Sequence, residues 1–213
     1  MTVNNFTQIL GIIRFESPDD FYFVQILQRK KDGNECKDSG NNHYRLIKSY
    51  YIYSEAEFFR RMPRIIELCK ANNARAYFNL NKRSYEMCCV ETAKQMLTLQ
   101  QEGQCQRGPK VWDSVCGKTQ SKTSNKFWVV DVDSKDEQVV QGVIDAVNKC
   151  RSGNDLDLFG SYNNVKYIIP TVNGVHLITN GFNLMELHVP VDVKKNNPTI
   201  LYYYDPNDNN SKE

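Results

Sequence analysis

The sequence predicts an α+β fold: a mixed or antiparallel sheet with helices packed on it. Three observations lead there. Segments rich in β-branched and aromatic residues recur along the chain, long stretches carry apolar residues at helical spacing, and strand candidates follow one another as hairpins as well as alternating with helices. A chain of 213 residues fits one compact unit, since domains run to ~100–200 residues. No internal repeat is visible.

The elements read as follows. Residues 21–29 (FYFVQILQR) form a strand, and the polar stretch after it is a loop or turn before a second strand around Arg45–Tyr53. Ser54-Glu55-Ala56-Glu57 is a capping box that opens a helix carrying Phe58, Ile65, Ile66 and Cys69 on its apolar side, with Pro63 expected to kink it. Ala74–Asn81 is a strand, and Ser84 to about Gln101 a second long helix. Residues 103–125, rich in Gly, Pro, Ser and Thr, read as a loop insertion or flap. Then come a strand at Phe127–Val132, a helix at Lys135–Cys150, and strands at Val165–Ile169, Val175–Thr179 and Thr199–Tyr204. The organisation is an α/β half over 1–102, the polar insertion, a second half over 126–205 and a polar tail at 206–213.

Composition narrows the function classes. With 40% hydrophobic, 24% charged and 11% aromatic residues, wholesale disorder is excluded. No apolar run approaches the ~18–20 residues of a membrane span, and the first 20 residues lack a basic region and a small-residue cleavage site. The 27 basic and 25 acidic side chains leave a formal charge of +2, so any surface for a polyanion must be local. Seven cysteines, none in a C-x-x-C pair, fit free thiols in a reducing cytoplasm. Cys88, Cys89, Cys105 and Cys116 are enough for a zinc site, but their spacing matches no common zinc motif.

Chemistry concentrates in the second half. Val129-Val130-Asp131-Val132-Asp133 is an apolar strand ending in two acids at i and i+2, which project from the same face. Carboxylates that close repel unless a cation sits between them; Mg²⁺ or Mn²⁺ is the usual partner in phosphoryl transfer. Helix capping is the competing explanation, because Ser134-Lys135-Asp136-Glu137 follows. The tight turn Thr171-Val172-Asn173-Gly174 precedes His176 in a short apolar strand, where imidazole and backbone amides suit a phosphate or a proton transfer. Tyr202-Tyr203-Tyr204-Asp205 is again an apolar strand ending in an acid, with Glu186 and Asp192 as rival third acids.

In that order, VVDVD at 129–133, NGVH at 173–176 and YYYD at 202–205 make the chain resemble the archaeo-eukaryotic primase superfamily, the primase–polymerases, over residues 127–205. The resemblance implies an RRM-like catalytic half in which Asp131, Asp133 and Asp205 bind two divalent ions, Mg²⁺ or Mn²⁺. It implies that His176, with Thr171, Asn173 and Gly174 of its turn, meets the phosphates of an incoming nucleotide. Lys82 and Arg83 are further candidates for triphosphate or template contacts, as are Lys122 and Lys126. The implied partners are nucleoside triphosphates, a single-stranded DNA template and a helicase, as in a phage or mobile element, with no membrane. The family's zinc-binding element is not evident, and Asn79 and Asn81 resemble a D-x-D pair with both acids amidated. Two other readings use the same residues: a metal-dependent nuclease or phosphodiesterase, and a non-catalytic nucleic-acid or protein-binding module.

Overall fold

A computed structural model describes residues 2–34, 43–118, 126–153, 162–196 and 198–205. Cys36, Lys122 and the tail at 206–213 lie outside the described residues. The order is β1 (Val3–Asn4), α1 (Phe6–Ile12), β2 (Asp20–Arg29), β3 (Tyr44–Ile52), α2 (Glu55–Ala71), β4 (Arg75–Phe78), β5 (Arg83–Ser84), α3 (Tyr85–Gln101), α4 (Val111–Lys118), β6 (Trp128–Val132), α5 (Glu137–Lys149), β7 (Val165–Pro170), β8 (Val175–Thr179), β9 (Asp192–Lys194) and β10 (Thr199–Tyr203). The fold is α+β, and its strands form two antiparallel sheets. The first runs β1-β10-β4-β2-β3 with β5 also paired to β2, and the second runs β7-β8-β6-β9. No helix among the described residues is long and apolar enough to cross a membrane.

Local chemistry accounts for the helix starts. The Ser54 hydroxyl accepts from the Glu57 amide at 3.1 Å, and Glu57 Oε2 reaches back to the Tyr53 amide at 3.1 Å. Ser84 caps α3 through the Met87 amide, also at 3.1 Å. α5 is capped by Asp136, two residues later than Ser134, with the Gln138 amide at 2.8 Å. α2 continues through Pro63.

Alternation along the strands builds three packed layers. In β2, Tyr22, Val24 and Ile26 join Phe58, Ile65 and Phe78 in the main core, whereas Phe21 and Phe23 pack with Cys88, Val111, Val115 and Cys116. Residues 105–118 are therefore not a loop or flap: a short 3₁₀ turn (Cys105–Lys110) leads into α4, whose apolar side covers the first sheet. In β6, Val130 and Val132 pack with Val143 and Val147 of α5, while Val129 joins the main core together with Ile169 and Ile178. One face of the second sheet is thus covered by α5, and the other packs into the core of the first half.

The second sheet, read β9-β6-β8-β7, has the strand order of a split β-α-β unit with its last strand on the outer edge. Between β8 and β9 there is a 3₁₀ turn (Leu184–Glu186) and no second helix. The expected second half ends differently as well, because β10 leaves this sheet and inserts between β1 and β4 of the first. The chain therefore crosses between the halves twice, and side-chain amides fasten both junctions. Asn81 bonds the backbone of Phe127 in both directions, at 2.9 and 2.7 Å, and the Asn5 amide donates to the carbonyls of Pro170 and Ile200, each at 2.9 Å.

Asn81 is buried and uses both ends of its amide, so Asn81→Asp, which loses the donor and sets a carboxylate against the Phe127 carbonyl, should be at least as damaging as Asn81→Ala. A loss of roughly 1–3 kcal/mol is expected for either, read from urea unfolding midpoints.

Candidate functional site

Strand register assembles the site. In β6, Asp131 lies directly opposite His176 of β8 on one side and Asp192 of β9 on the other, and Ile169 of β7 lies opposite His176. Directly opposed residues of antiparallel strands project from one face. Ile169, His176, Asp131 and Asp192 therefore form a row across the whole second sheet, and Asp133, two residues beyond Asp131, projects from the same face. That row is on the Val129 side, which packs against the first half. Where this packing opens, a cleft of about 340 Å³ is lined by Asp131, Asp133, His176 and Lys194 on one wall and by Leu27, Arg29, Arg75 and Tyr77 on the other.

The electrostatics centre on Asp131. Its Oδ1 lies 3.4 Å from His176 Nε2, and its Oδ2 accepts from Lys194 Nζ at 2.9 Å. Lys194 Nζ also lies 3.1 Å from Asp192 Oδ2, so one ammonium bridges two carboxylates that face each other across paired strands. The bond from His176, and after it that from Lys194, hold the Asp131 carboxyl far below the usual carboxylate range, against the opposing effect of burial. Burial works against the charge on Lys194, but its bonds to Asp131 and Asp192 outweigh that and raise its pKa above the ordinary value. His176 Nδ1 lies 2.8 Å from the hydroxyl of Thr199, which is fully buried at the start of β10. With Nε2 carrying the proton toward Asp131, Nδ1 accepts from that hydroxyl, and the ring plane is set from both ends.

The turn between β7 and β8 is built to approach β6. The Thr171 amide donates to the Gly174 carbonyl at 2.8 Å, and the Gly174 amide donates to the Thr171 hydroxyl at 3.1 Å. A Cβ on Gly174 would overlap the Val132 carbonyl and the Ser134 backbone, the residues on either side of Asp133. Thr171, Val172 and Asn173 line the cleft. Gly174 acts through close backbone approach: it lets this turn lie against the end of the D-x-D strand.

Other expected site residues fall elsewhere. Asp205 follows the far end of β10, where Tyr203 pairs with Arg75 and Val3; its amide donates to the Thr2 hydroxyl at 3.4 Å, and it does not line the cleft. The end of β10 that reaches the site is Thr199, six residues earlier and ~20 Å away along an extended strand. Of the rival acids, Asp192 is brought to Asp131, whereas Glu186 is held by the Arg151 amide and guanidinium at 2.7 and 2.5 Å. Lys82 and Arg83 are corrected too. The Lys82 side chain is 6% exposed and paired with Asp20 and Glu16 at 3.0 and 2.7 Å. Arg83 is fully buried and donates to the carbonyls of Asn81, Cys116 and Gly117 and to Asn79 Oδ1. Both tie down structure and do not line the cleft. Lys126 is exposed and does not line it either.

The four cysteines do not assemble. Cys88 and Cys116 are buried in mutual contact, Cys89 is half-buried, Cys105 is exposed, and among the described residues no group of three His, Cys, Asp or Glu stands ready to hold a metal ion. Sequence reasoning passed over Lys194 and the cationic wall of Arg29, Lys31 and Arg75. The alternation Val191-Asp192-Val193-Lys194 was the available signal for β9 and for Lys194. No signal in the sequence joins the end of β2 to the D-x-D strand. No family model, no curated protein and no solved structure matches the chain.

Two outcomes follow. Gly174→Ala should cost about 1–3 kcal/mol in chemical denaturation, because the backbone it would strike belongs to a paired strand. A carboxyl whose pKa is depressed by folding adds stability that is complete above its unfolded value of ~3.9 and is lost as pH falls through the folded value. In His176→Ala, the titration of Asp131 followed by NMR should therefore move upward toward that unfolded value; an unchanged titration would assign the whole effect to Lys194.

Proposed function

We propose that the chain is a metal-dependent nucleotidyltransferase of primase–polymerase type, joining nucleoside triphosphates to a 3′-hydroxyl on a single-stranded DNA template and working beside a helicase. The observation that carries the reading is the row His176–Asp131–Asp192 with Asp133 beyond it, of which His176, Asp131 and Asp133 line a cleft whose opposite wall is cationic. Carboxylates opposed to basic side chains across a narrow gap suit a substrate that carries both metal ions and phosphates.

Carboxylate oxygens are the donors that Mg²⁺ and Mn²⁺ take, although among the described residues no three acids are gathered closely enough to hold an ion as they stand. The arrangement adds a condition, because Lys194 already occupies the space between Asp131 and Asp192. Asp131, Asp133 and Asp192 would hold the metal once the ammonium swings out. When bound, the ion would supply charge neutralisation at the phosphates and activation of the attacking hydroxyl. The chain's own groups do the rest. Lys194, released from the carboxylates, has a flexible stem long enough to keep its charge in the cleft. His176, oriented by Thr199, keeps a proton at Nε2 facing the acids and the phosphates, where it counters developing negative charge. The turn at Thr171–Gly174 keeps Asp133 in place.

The test is calorimetry of nucleoside triphosphate binding with and without Mn²⁺, followed by primer-extension assays. Asp131→Asn should remove metal-dependent binding and lower extension by on the order of 10²-fold or more. Asp205→Asn should leave both within about twofold. Cleavage of DNA with no dependence on a triphosphate would instead favour a nuclease. Absence of metal-dependent binding in the unaltered chain would overturn the catalytic reading. Lys194→Met should bind Mn²⁺ more tightly, since the ion no longer competes with a tethered cation; equal or weaker binding would mean that Lys194 does not stand in the metal's place.

A further inference from the structure

The wall facing Asp131 and Asp133 belongs entirely to the first half. β2 ends at Arg29, a 3₁₀ turn over Lys30–Asp32 carries Lys31, and β4 begins at Arg75. All three cations line the same cleft as the carboxylates. Arg75 has its partner inside the protein: its guanidinium makes a two-pronged bond to Asp32 at 2.7 and 2.5 Å and lies over the Tyr203 ring at 4.5 Å. Arg29 and Lys31 differ. Arg29 Nη1 donates to the Tyr77 hydroxyl at 2.8 Å, and among the described residues neither Arg29 nor Lys31 has an ion pair. Burial, and after it the charges of Arg29 and Arg75, push the Lys31 pKa down against the opposing pull of Asp32 and Asp133.

This arrangement is held in place by structure. The Asn34 amide donates to the carbonyls of Arg29 and Asn73, the Asn73 amide donates to the Asp32 carbonyl, and Gly33 closes the turn in the left-handed conformation at φ 82°. The turn is thus fastened to the α2–β4 connection on one side and to Arg75 on the other. Two cations with no ion pair among the described residues, on one wall of a cleft too small for a folded partner, suit a small ligand of high negative charge density.

We infer that Arg29 and Lys31 form a subsite for the polyphosphate tail of the nucleotide, across the cleft from the carboxylates. The inference rests on the phosphoryl-transfer reading only for the origin of the ligand, and it assigns to the first half the phosphate contacts expected of Lys82 and Arg83. A triphosphate concentrates its charges on three adjoining phosphorus atoms, whereas a phosphodiester strand carries one per nucleotide. Two cations that line one cleft of about 340 Å³ therefore favour the triphosphate.

The experiment is calorimetric titration of the full chain with inorganic tripolyphosphate in the presence of a chelator, so that no divalent ion takes part. Unaltered protein should bind, and Arg29→Gln/Lys31→Gln should bind at least about tenfold more weakly, the loss expected for charge-assisted hydrogen bonds. Asp131→Asn/Asp133→Asn should bind at least as tightly as the unaltered chain. Lys31 is exposed on a turn, so Lys31→Ala alone provides the test if the double variant fails to fold. Competition by a single-stranded oligonucleotide at equal phosphate concentration should be weak. No binding of tripolyphosphate, binding that the substitutions leave unchanged, or displacement by the oligonucleotide as effective as by free tripolyphosphate would each overturn the inference. Loss of Mn²⁺-dependent nucleotide binding with this metal-free binding intact would instead count against the transferase reading and leave the subsite standing.

Discussion

Strand β6 is the constraint on which the rest depends. It is paired on both sides, to β8 and β9, and a strand so placed can vary its side chains only by face. One face must be apolar along its length to meet α5, which accounts for Val130 and Val132. The other face begins in the main core at Val129 and ends at Asp131 and Asp133. A one-residue slip of register would turn the acids toward α5 and expose the valines, so hydrophobic burial and placement of the carboxylates are the same choice. The clamp between Asn81 and Phe127 fixes where along β6 the core stops and the cleft begins, because it holds the strand's entry to the first half.

Much of this was legible from residues alone. Period-two alternation placed Asp131 and Asp133 on one face, and the turn signal placed His176 in a short strand just after it; that this strand pairs with the D-x-D strand, with Asp131 opposite His176, emerges only from the structure. The capped helices α2, α3 and α5 stand close to where capping and periodicity put them. What failed was long-range placement. β10 looks like the next strand of the second sheet, and it sits in the first because Leu201 and Tyr202 complete the core around Phe6 and Phe58. Nothing local distinguishes an apolar strand that pairs with its neighbour from one that crosses to another sheet. Asp205 was misplaced for that reason.

The basic residues show the same limit. Lys82 and Arg83 follow a strand that resembles an amidated D-x-D, and sequence alone suggests two exposed cations. Each instead answers a buried demand: Asp20 in one case, and a set of inward-pointing carbonyls and Asn79 in the other. Burial lowers the Arg83 pKa to about 10, and the bonds it donates compensate the cost of keeping the charge inside. The cations that do face the acids, Arg29 at the end of β2 and Lys31 on the turn after it, stand about a hundred positions before the D-x-D, and only tertiary packing connects them.

Lys194 bridges the acids of the site. Carboxylates directly opposite each other on paired strands destabilise a sheet, and Asp131 and Asp192 are such a pair. Their repulsion is answered by an ammonium two residues along β9 from Asp192, so the sheet closes without an external ion. The same solution weakens any divalent cation that seeks those oxygens, because it must first replace bonds already made. A metal bound to those oxygens, as proposed above, would release a positive charge into a cleft whose far wall carries Arg29 and Lys31. The released lysine would raise the positive potential there and disfavour the metal-bound state unless an anion entered with the metal. A cation and a polyphosphate arriving together would satisfy both walls at once. Lys194 would then couple the two walls of the site.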